Sequence, residues 1–255
     1  MAQVILLGTG AALSDATREH TYMVIKGETE SILVDCGGSP VQRLIKAGVS
    51  LDSIDHVILT HHHPDHLYGL SVFLLDLWLA GRKKKLNLYG LAETVRAVKA
   101  MMHAFEWERW LNFGFFPVEF HLVPKRDIGL MIVTKEFSIS ATTTKHLLPT
   151  LALRFTSRAS GKSAVYSSDT EVCESVIEIA RDATMLFHEA TTLESASPGH
   201  TSARQAGLQA QRANVRKLVL VHLPPNGEVK KIHDAAAKSF KGKVVVGKDF
   251  ARYKF

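Results

Sequence analysis

A short run of the chain is unusually dense in side chains that bind metal ions. His61, His63, Asp65 and His66 place three imidazoles and one carboxylate between residues 61 and 66. These ligand types suit a borderline-soft divalent ion such as zinc. The run directly follows the strand-like segment HVILT, and α/β folds hold ligands at the carboxyl ends of their strands. That position favours a metal site over a surface histidine cluster.

Three further candidates follow other strand-like segments. His146 comes after FSISATTTK, Asp169 after SAVYSS, and His222 after KLVLV. One such residue alone is most often a cap or a hydrogen-bonded loop side chain. Three in one chain, each after a buried strand, favour a shared site. The seven side chains would then divide between two ions, with one carboxylate shared.

The segments between these residues predict an α/β fold. Short β-branched runs that end in Gly or Asp predict strands: VILLGTG, YMVIKG, SILVDCGG, HVILTHHH and LNLYG, and after about residue 130 FSISATTT, LALRF, SAVYSSD, MLFHEA, KLVLVH and KVVVG. Helical patterns lie between them, and Ser202 with Gln205 forms a capping box that begins one helix. Two successive sets of strands and helices predict a four-layer αββα sandwich, with two mixed β-sheets flanked by helices.

Composition places the chain among ordinary globular proteins. It has 255 residues, of which 46% are apolar and 22% charged, and no repeat or linker divides it, so we expect a single domain over residues 1–255. No segment approaches the roughly 20 apolar residues of a membrane span. The start, MAQVILLGTG, lacks a basic region and a cleavage site and predicts a first strand. The expectation is a cytoplasmic protein with no membrane partner.

Charge and aromatic content leave alternatives open. The net charge of +6 is compatible with a polyanionic partner but does not require one. The basic run at residues 82–85 is typical of a solvated turn, with an RNA contact as the alternative. An aromatic segment at about residues 101–120 is consistent with a packed helical insert, a lid or a dimer surface. Cys36 and Cys173 are too few for a disulfide framework and have no CxxC spacing, so free thiols are favoured over a bridge or a ligand pair.

The motifs resemble those of the metallo-β-lactamase superfamily, whose signature is His-x-His-x-Asp-His. Within that superfamily the chain is most similar to the ribonuclease Z branch, the tRNA 3′-processing endonucleases. The matching segments occur in family order along nearly the whole chain: LLGTGAA, VDCG, LTHHHPDHLYGL, KHLLPTLALRF, YSSDT, HEAT at residues 188–191, GHTSARQAG and LVLVH.

The resemblance implies a metal site, position by position. His61, His63 and His146 would hold one zinc ion; Asp65, His66 and His222 would hold the other; Asp169 would bridge them. A histidine at position 63, where flavodiiron relatives carry glutamate, favours zinc over a redox iron pair, and Mn²⁺ or another divalent ion would also suit the set. Asp35 would orient the loops of the site.

Two more motifs imply acid–base groups. The HEAT motif supplies Glu189, and the family's His-Ser-Thr motif occurs here as His200-Thr201-Ser202. The resemblance implies that Asp65 orients a water molecule activated by the two ions. Thr201 and Ser202 would contact the substrate phosphate, and His200, held by Glu189, would protonate the leaving oxygen.

Three segments depart from the ribonuclease Z pattern. Only TSRASGKSAV separates LALRF from YSSD, where the tRNA-processing members carry a long flexible arm. Gly38 stands where an acidic residue is usual, and residues 223–226 read Leu-Pro-Pro-Asn in place of Ser-x-Arg-Tyr. The predicted ligands are unaffected, whereas the phosphate contacts that an arm gives to RNA are missing.

The predicted function is binuclear zinc-dependent hydrolysis of a phosphodiester, either an RNA 3′ end or a small molecule such as a cyclic nucleotide. The alternatives are an arylsulfatase-like enzyme, a hydrolase of esters, thioesters or lactones, and a non-catalytic RNA-binding relative. The His200–Glu189 pair disfavours the ester hydrolases, and retention of all seven ligand types disfavours the non-catalytic relative. The resemblance also implies a homodimer formed through the helices after His66.

Overall fold

The protein forms two seven-stranded β-sheets with helices on their outer faces, in a computed structural model that describes residues 1–13 and 15–255. The strands are β1 Gln3–Gly8, β2 Tyr22–Lys26, β3 Ser31–Val34, β4 Ile54–Ile58, β5 Leu86–Gly90, β6 Val118–Leu122, β7 Gly129–Val133, β8 Phe137–Thr143, β9 Leu151–Ser157, β10 Ser163–Tyr166, β11 Met185–Glu189, β12 Lys217–Val221, β13 Lys243–Val246 and β14 Arg252–Lys254. The α-helices are α1 Pro40–Lys46, α2 Pro64–Leu67, α3 Leu70–Leu79, α4 Ala92–Ala104, α5 Trp107–Leu111, α6 Glu174–Ala180, α7 Ala203–Arg212 and α8 Val229–Ala237. This is the predicted αββα sandwich.

Each sheet combines antiparallel and parallel strands. Sheet one has the order β14-β1-β2-β3-β4-β5-β6, and β3 to β6 are parallel. Sheet two has the order β13-β12-β11-β10-β9-β8-β7, and β10 to β13 are parallel. Because parallel strands end at the same edge of a sheet, the loops that follow β3, β4, β10, β11 and β12 carry most of the predicted site residues to one edge.

Three apolar layers hold the sandwich together. Strand β2 shows the pattern: Met23 and Ile25 pack between the two sheets, whereas Tyr22 and Val24 pack under the helices of sheet one. This alternation follows from the two-residue period of a strand. A third cluster, rich in alanine, lies between sheet two and α6 to α8. Burial on both faces explains why the strands appear in the sequence as nearly continuous apolar runs.

Some elements were not predicted from the sequence. Strands β6, β7 and β14 lie at sheet edges, and the aromatic segment at residues 101–120 comprises the end of α4, α5 and the start of β6. Within it Phe115 and Phe116 are buried in the core of sheet one, while Phe105 and Phe113 are exposed. The core-packing alternative therefore describes one part of the segment and the surface alternative another.

Two carboxylates join the sheets at the edge opposite the predicted site. The Glu136 carboxylate, in the β7–β8 turn, accepts hydrogen bonds from the backbone N–H groups of Glu28 (2.6 Å), Thr29 (2.7 Å) and Glu30 (3.1 Å) in the β2–β3 turn. In return, the Glu30 carboxylate accepts from the backbone N–H of Glu136 at 2.9 Å and from the Thr134 hydroxyl. Turns from both sheets are thus fastened to each other.

Among the described residues, no helix has the length and apolar character needed to cross a bilayer. The two cysteines are unpaired, as predicted: Cys36 is buried and Cys173 is partly buried.

Candidate metal centre

Three imidazole nitrogens from two loops converge at one side of the site. His61 Nε2 and His146 Nε2 each lie 3.1 Å from His63 Nδ1. His61 and His63 come from the loop after β4, and His146 from the loop after β8. Burial lowers the pKa of His61 well below its ordinary value, so its ring is in the neutral form that binds metals.

A second group lies beside the first. Asp65 and His66 are on α2, a helix of one turn that begins directly after His63, and His222 directly follows β12. Asp65 Oδ2 lies 3.4 Å from His66 Nε2 and 3.5 Å from His222 Nε2. All three side chains are buried. Sheet one and sheet two therefore each contribute to this group.

Asp169 lies between the two groups. Its Oδ1 is 3.5 Å from His66 Nε2, and its Oδ2 is 3.5 Å from His222 Nε2 and 3.8 Å from His61 Nε2. Surrounding histidines hold the pKa of Asp169 well below its ordinary value despite its burial, so the carboxylate is ionised. The structure thus brings together all seven residues that the sequence analysis assigned as ligands, while the assignment itself remains a prediction.

The donor set fits divalent cations. The ligand atoms of His61, His63, His146 and Asp169 lie within 4.8 Å of one another, and so do those of Asp65, His66 and His222. His66 Nε2 and Asp169 Oδ1 are buried without a hydrogen-bond partner. Unpartnered buried polar atoms cost free energy. A cation held between the two groups would give these atoms a partner.

Buried acceptors orient the rings from outside. The Asp35 carboxylate accepts from His66 Nδ1 at 2.8 Å and from the backbone N–H of Thr60 at 2.8 Å. The Gly199 carbonyl accepts from His146 Nδ1 at 2.7 Å. Each contact leaves Nε2 of the ring free to face the site, as in histidines that bind metals. Asp35 and His222 adopt left-handed backbone conformations, with φ of 60° and 52°, as residues at functional sites often do.

The predicted acid–base pair is formed. His200 Nδ1 donates to Glu189 Oε1 at 3.1 Å, and the same Glu189 oxygen accepts from the backbone N–H of Thr170 at 2.8 Å. Burial alone would lower the pKa of His200, but the hydrogen bond and charge of Glu189 outweigh it and raise the pKa above its ordinary value. His200 also lies 3.9 Å from Asp169 Oδ2, which places the pair at the edge of the metal-binding cluster.

Thr201 and Ser202 use their hydroxyls in contacts within the protein, and their contact with a substrate phosphate stays a prediction. Both side chains are fully buried. The Thr201 hydroxyl donates to the Thr170 carbonyl, and the Ser202 side chain accepts from the backbone N–H of Gln205 in the predicted capping box. These hydroxyls therefore stabilise the loop and the helix terminus.

Sequence reasoning missed two residues beside the site. Thr191, the last residue of HEAT, contacts both Glu189 and His222, and only its motif could have drawn attention to it. Glu19 lies where a side chain at position 38 would be, because a Cβ on Gly38 would be 2.3 Å from Glu19 Cδ. A carboxylate therefore occupies the place of the acidic residue that is usual at position 38 in the ribonuclease Z pattern, but it comes from a different loop.

The segment in which the tRNA-processing enzymes carry their arm is a tight turn. Strand β9 ends at Ser157 and β10 begins at Ser163, and the two pair in antiparallel register from Ser163–Thr156 onward. The absence of an arm is thus a feature of the folded chain as well as of the sequence.

Comparison with known proteins identifies the family of the chain. The family model described as Anti-Pycsar protein Apyc1 matches residues 2–244. The chain belongs to the Apyc1 family. A curated relative of this Apyc1-family chain is a ribonuclease Z from Mycobacterium bovis (strain BCG / Pasteur 1173P2), which is 28% identical over 99% of this chain and 98% of its own length.

Solved structures resemble the Apyc1-family chain over its full length. The metallo-β-lactamase fold protein YhfI from Bacillus subtilis has a TM-score of 0.82 at 22% identity and covers 100% of this chain and 99% of its own. The short form of human tRNase Z has a TM-score of 0.80 at 23% identity, covering 99% and 98%. These structures show that the chain has the metallo-β-lactamase fold. Together with the curated ribonuclease Z relatives, they identify a metal-dependent hydrolase with a ribonuclease Z-like sequence.

Proposed function

We propose that the chain is a binuclear zinc-dependent phosphodiesterase that acts as a single domain over residues 1–255. The observation that carries the proposal is the junction of two ligand groups through the Asp169 carboxylate, with a histidine–glutamate pair at its edge. His61, His63 and His146 would hold one ion, Asp65, His66 and His222 the other, and Asp169 would contact both. Mn²⁺ or another divalent ion suits the same ligands.

When bound, such ions supply Lewis-acid activation of water and of a phosphoryl oxygen. The chain's own residues would do the rest. Asp65, whose Oδ2 lies 3.4 Å from His66 Nε2 and 3.5 Å from His222 Nε2, would orient the attacking water. His200 gives a proton from Nε2 to the departing oxygen, because its Nδ1 is occupied by Glu189. Glu189 holds the ring in place and stabilises its protonated form.

Two substrate classes fit this chemistry. The short β9–β10 turn favours a small phosphodiester such as a cyclic nucleotide, because the chain lacks the arm that would bind the phosphates of an RNA substrate. The curated relatives named ribonuclease Z support an RNA 3′ end as the second candidate. An arylsulfatase-like or ester-hydrolysing activity has less support, because the His200–Glu189 pair suits a leaving group that needs a proton.

The test combines metal analysis with a substrate comparison. We expect about two zinc ions per chain and turnover of bis(p-nitrophenyl) phosphate. His61→Ala should lose metal and activity. His62→Ala is the matched control, because His62 is in the same histidine run but in neither ligand group. A wild-type protein that binds no divalent metal would refute the proposal. Side-by-side assays of a cyclic nucleotide and a precursor tRNA then distinguish the substrates.

A homodimer through the helices after His66 belongs to the same proposal. On α3 and just before it, Tyr68, Val72 and Leu79 are exposed apolar or aromatic side chains. Exposed apolar surface of this kind favours association. Light scattering on the purified protein should give the mass of a dimer, and Val72→Glu should shift it to that of a monomer. A wild-type monomer at micromolar concentration would contradict this part of the proposal.

A further inference from the structure

We propose that Thr191 is a positioning residue whose hydroxyl fixes the proton on His222 and connects that predicted ligand to the Glu189–His200 pair. The Thr191 Oγ1 atom lies 2.6 Å from Glu189 Oε2 and 2.9 Å from His222 Nδ1. It is also 3.4 Å from His200 Nδ1. One hydroxyl thus contacts an acid–base pair and a metal-ligand candidate together.

The direction of each hydrogen bond follows from proton counting. An ionised carboxylate only accepts, so the single hydroxyl proton of Thr191 must point to Glu189 Oε2. The oxygen of Thr191 then has only lone pairs to offer His222, and Nδ1 of His222 must carry the proton. If the hydroxyl donated to His222 instead, two oxygens 2.6 Å apart would have no proton between them. The arrangement with the proton on Nδ1 is the one that satisfies all three groups.

The tautomer decides what His222 can do. With its proton on Nδ1, a neutral His222 has a lone pair on Nε2, the atom that lies 3.5 Å from both Asp65 Oδ2 and Asp169 Oδ2. With the proton on Nε2, the same ring would point an N–H into the cluster and could not bind a cation there. Thr191 therefore accepts a hydrogen bond from Nδ1 of His222, as Asp35 does from His66 and the Gly199 carbonyl does from His146.

The same hydroxyl links two parts of the site that have different tasks. Glu189 accepts from Thr191 through Oε2 and from His200 through Oε1. A change in the hydroxyl therefore alters the orientation of Glu189 as well as the ring of His222. If Thr191 had a purely structural role, its substitution would lower folding stability without selectively weakening the binding of one ion.

The inference rests on the proposed metal-binding function, and its test separates the two. Thr191→Val keeps the shape of the side chain and removes the hydroxyl, whereas Thr191→Ser keeps the hydroxyl. Zinc affinity is measured by competition with a chromophoric chelator on the metal-depleted full-length protein. We expect the valine variant to bind one of its two ions about 10- to 100-fold more weakly and the serine variant to restore wild-type affinity.

A matched control comes from α4. The Thr94 side chain is fully buried and its hydroxyl has no hydrogen-bond partner, so Thr94→Val makes the same chemical change where no hydroxyl contact is lost. Zinc affinity should be unchanged in that variant. Thermal unfolding of each metal-depleted variant establishes that it is folded. If Thr191→Val prevents folding, Thr191→Ala, which also removes the hydroxyl, takes its place in the comparison.

The outcomes are distinct. A wild-type protein that binds two ions, together with hydroxyl-free variants of equal affinity for both, would overturn the role of Thr191 and leave the proposed function intact. Failure of Thr191→Ser to restore affinity would also overturn it, because size and not the hydroxyl would then matter. A wild-type protein that binds no zinc would overturn the proposed function itself.

Discussion

Removal of the His200 imidazole should slow hydrolysis by an amount that depends on the leaving group. The ring donates through Nδ1 to Glu189 at 3.1 Å, so Nε2 is the atom that can protonate a departing oxygen. His200→Ala removes that proton donor. A nucleoside alkoxide is a poor leaving group and needs the proton, whereas p-nitrophenolate departs readily as an anion.

The expected size of the effect follows from general acid catalysis. Such a group typically contributes about 10²- to 10⁴-fold, which is about 3–5 kcal/mol of transition-state stabilisation. We expect a loss of that order in kcat for a nucleoside phosphodiester. For bis(p-nitrophenyl) phosphate the loss should be less than about tenfold, because little charge on the leaving oxygen requires a proton.

Steady-state kinetics with both substrates test this reasoning. His103→Ala is a suitable control, because His103 is an exposed histidine on α4. Glu189→Gln adds a second readout: without the carboxylate charge, the pKa of His200 should fall. Activity that requires the protonated ring is lost as the pH rises through that pKa, so the alkaline limb should move to lower pH. An equal loss on both substrates in His200→Ala would refute the role of His200 as an acid.

Three further substitutions have defined outcomes. Asp35→Asn removes the carboxylate that accepts from His66 Nδ1, and chelator competition should show zinc affinity lowered about 10- to 100-fold. Gly37→Ala would place a Cβ 2.0 Å from the Asp65 carbonyl oxygen, so thermal unfolding should show a loss of about 1–3 kcal/mol or more. Burial tends to raise the pKa of Glu136, but backbone N–H donors lower it to about 2. The Glu136 carboxylate therefore stabilises the fold above its ordinary pKa, and this contribution is lost as the pH falls toward 2. Glu136→Gln should therefore cost about 1–2 kcal/mol in urea unfolding at pH 7, and that difference should shrink on acidification; a difference independent of pH would contradict the carboxylate's role.

The sequence predicted the elements that are buried on both faces and the residues that follow them. After Lys217, strand β12 is an apolar run, and the structure places His222, directly after it, at the edge where the loops meet. The edge strands β6 and β7 were missed because they are only partly buried and alternate without a clear apolar face. Local pattern is weak where packing is one-sided.

The direction in which side chains point was the second feature that the sequence did not predict. Thr201 and Ser202 follow His200 directly in the chain, yet their hydroxyls turn into the loop and the helix cap. Thr191, nine residues before His200, has its hydroxyl between two site residues instead. Spacing along the chain indicates which loop a residue is on, but the rotamer depends on hydrogen bonds formed by distant segments.

The predicted ligands come from both sheets: residues 61–66 from one, and His146, Asp169 and His222 from the other. A cation held by both would act as a non-covalent crosslink across the central apolar layer. Because the cation would bind the assembled sandwich and not the unfolded chain, its binding free energy would add to the stability of the fold. The gain would be about 4 kcal/mol when the free metal concentration is a thousand times Kd. Resistance to heat and the capacity for hydrolysis would then rise and fall together with the supply of metal.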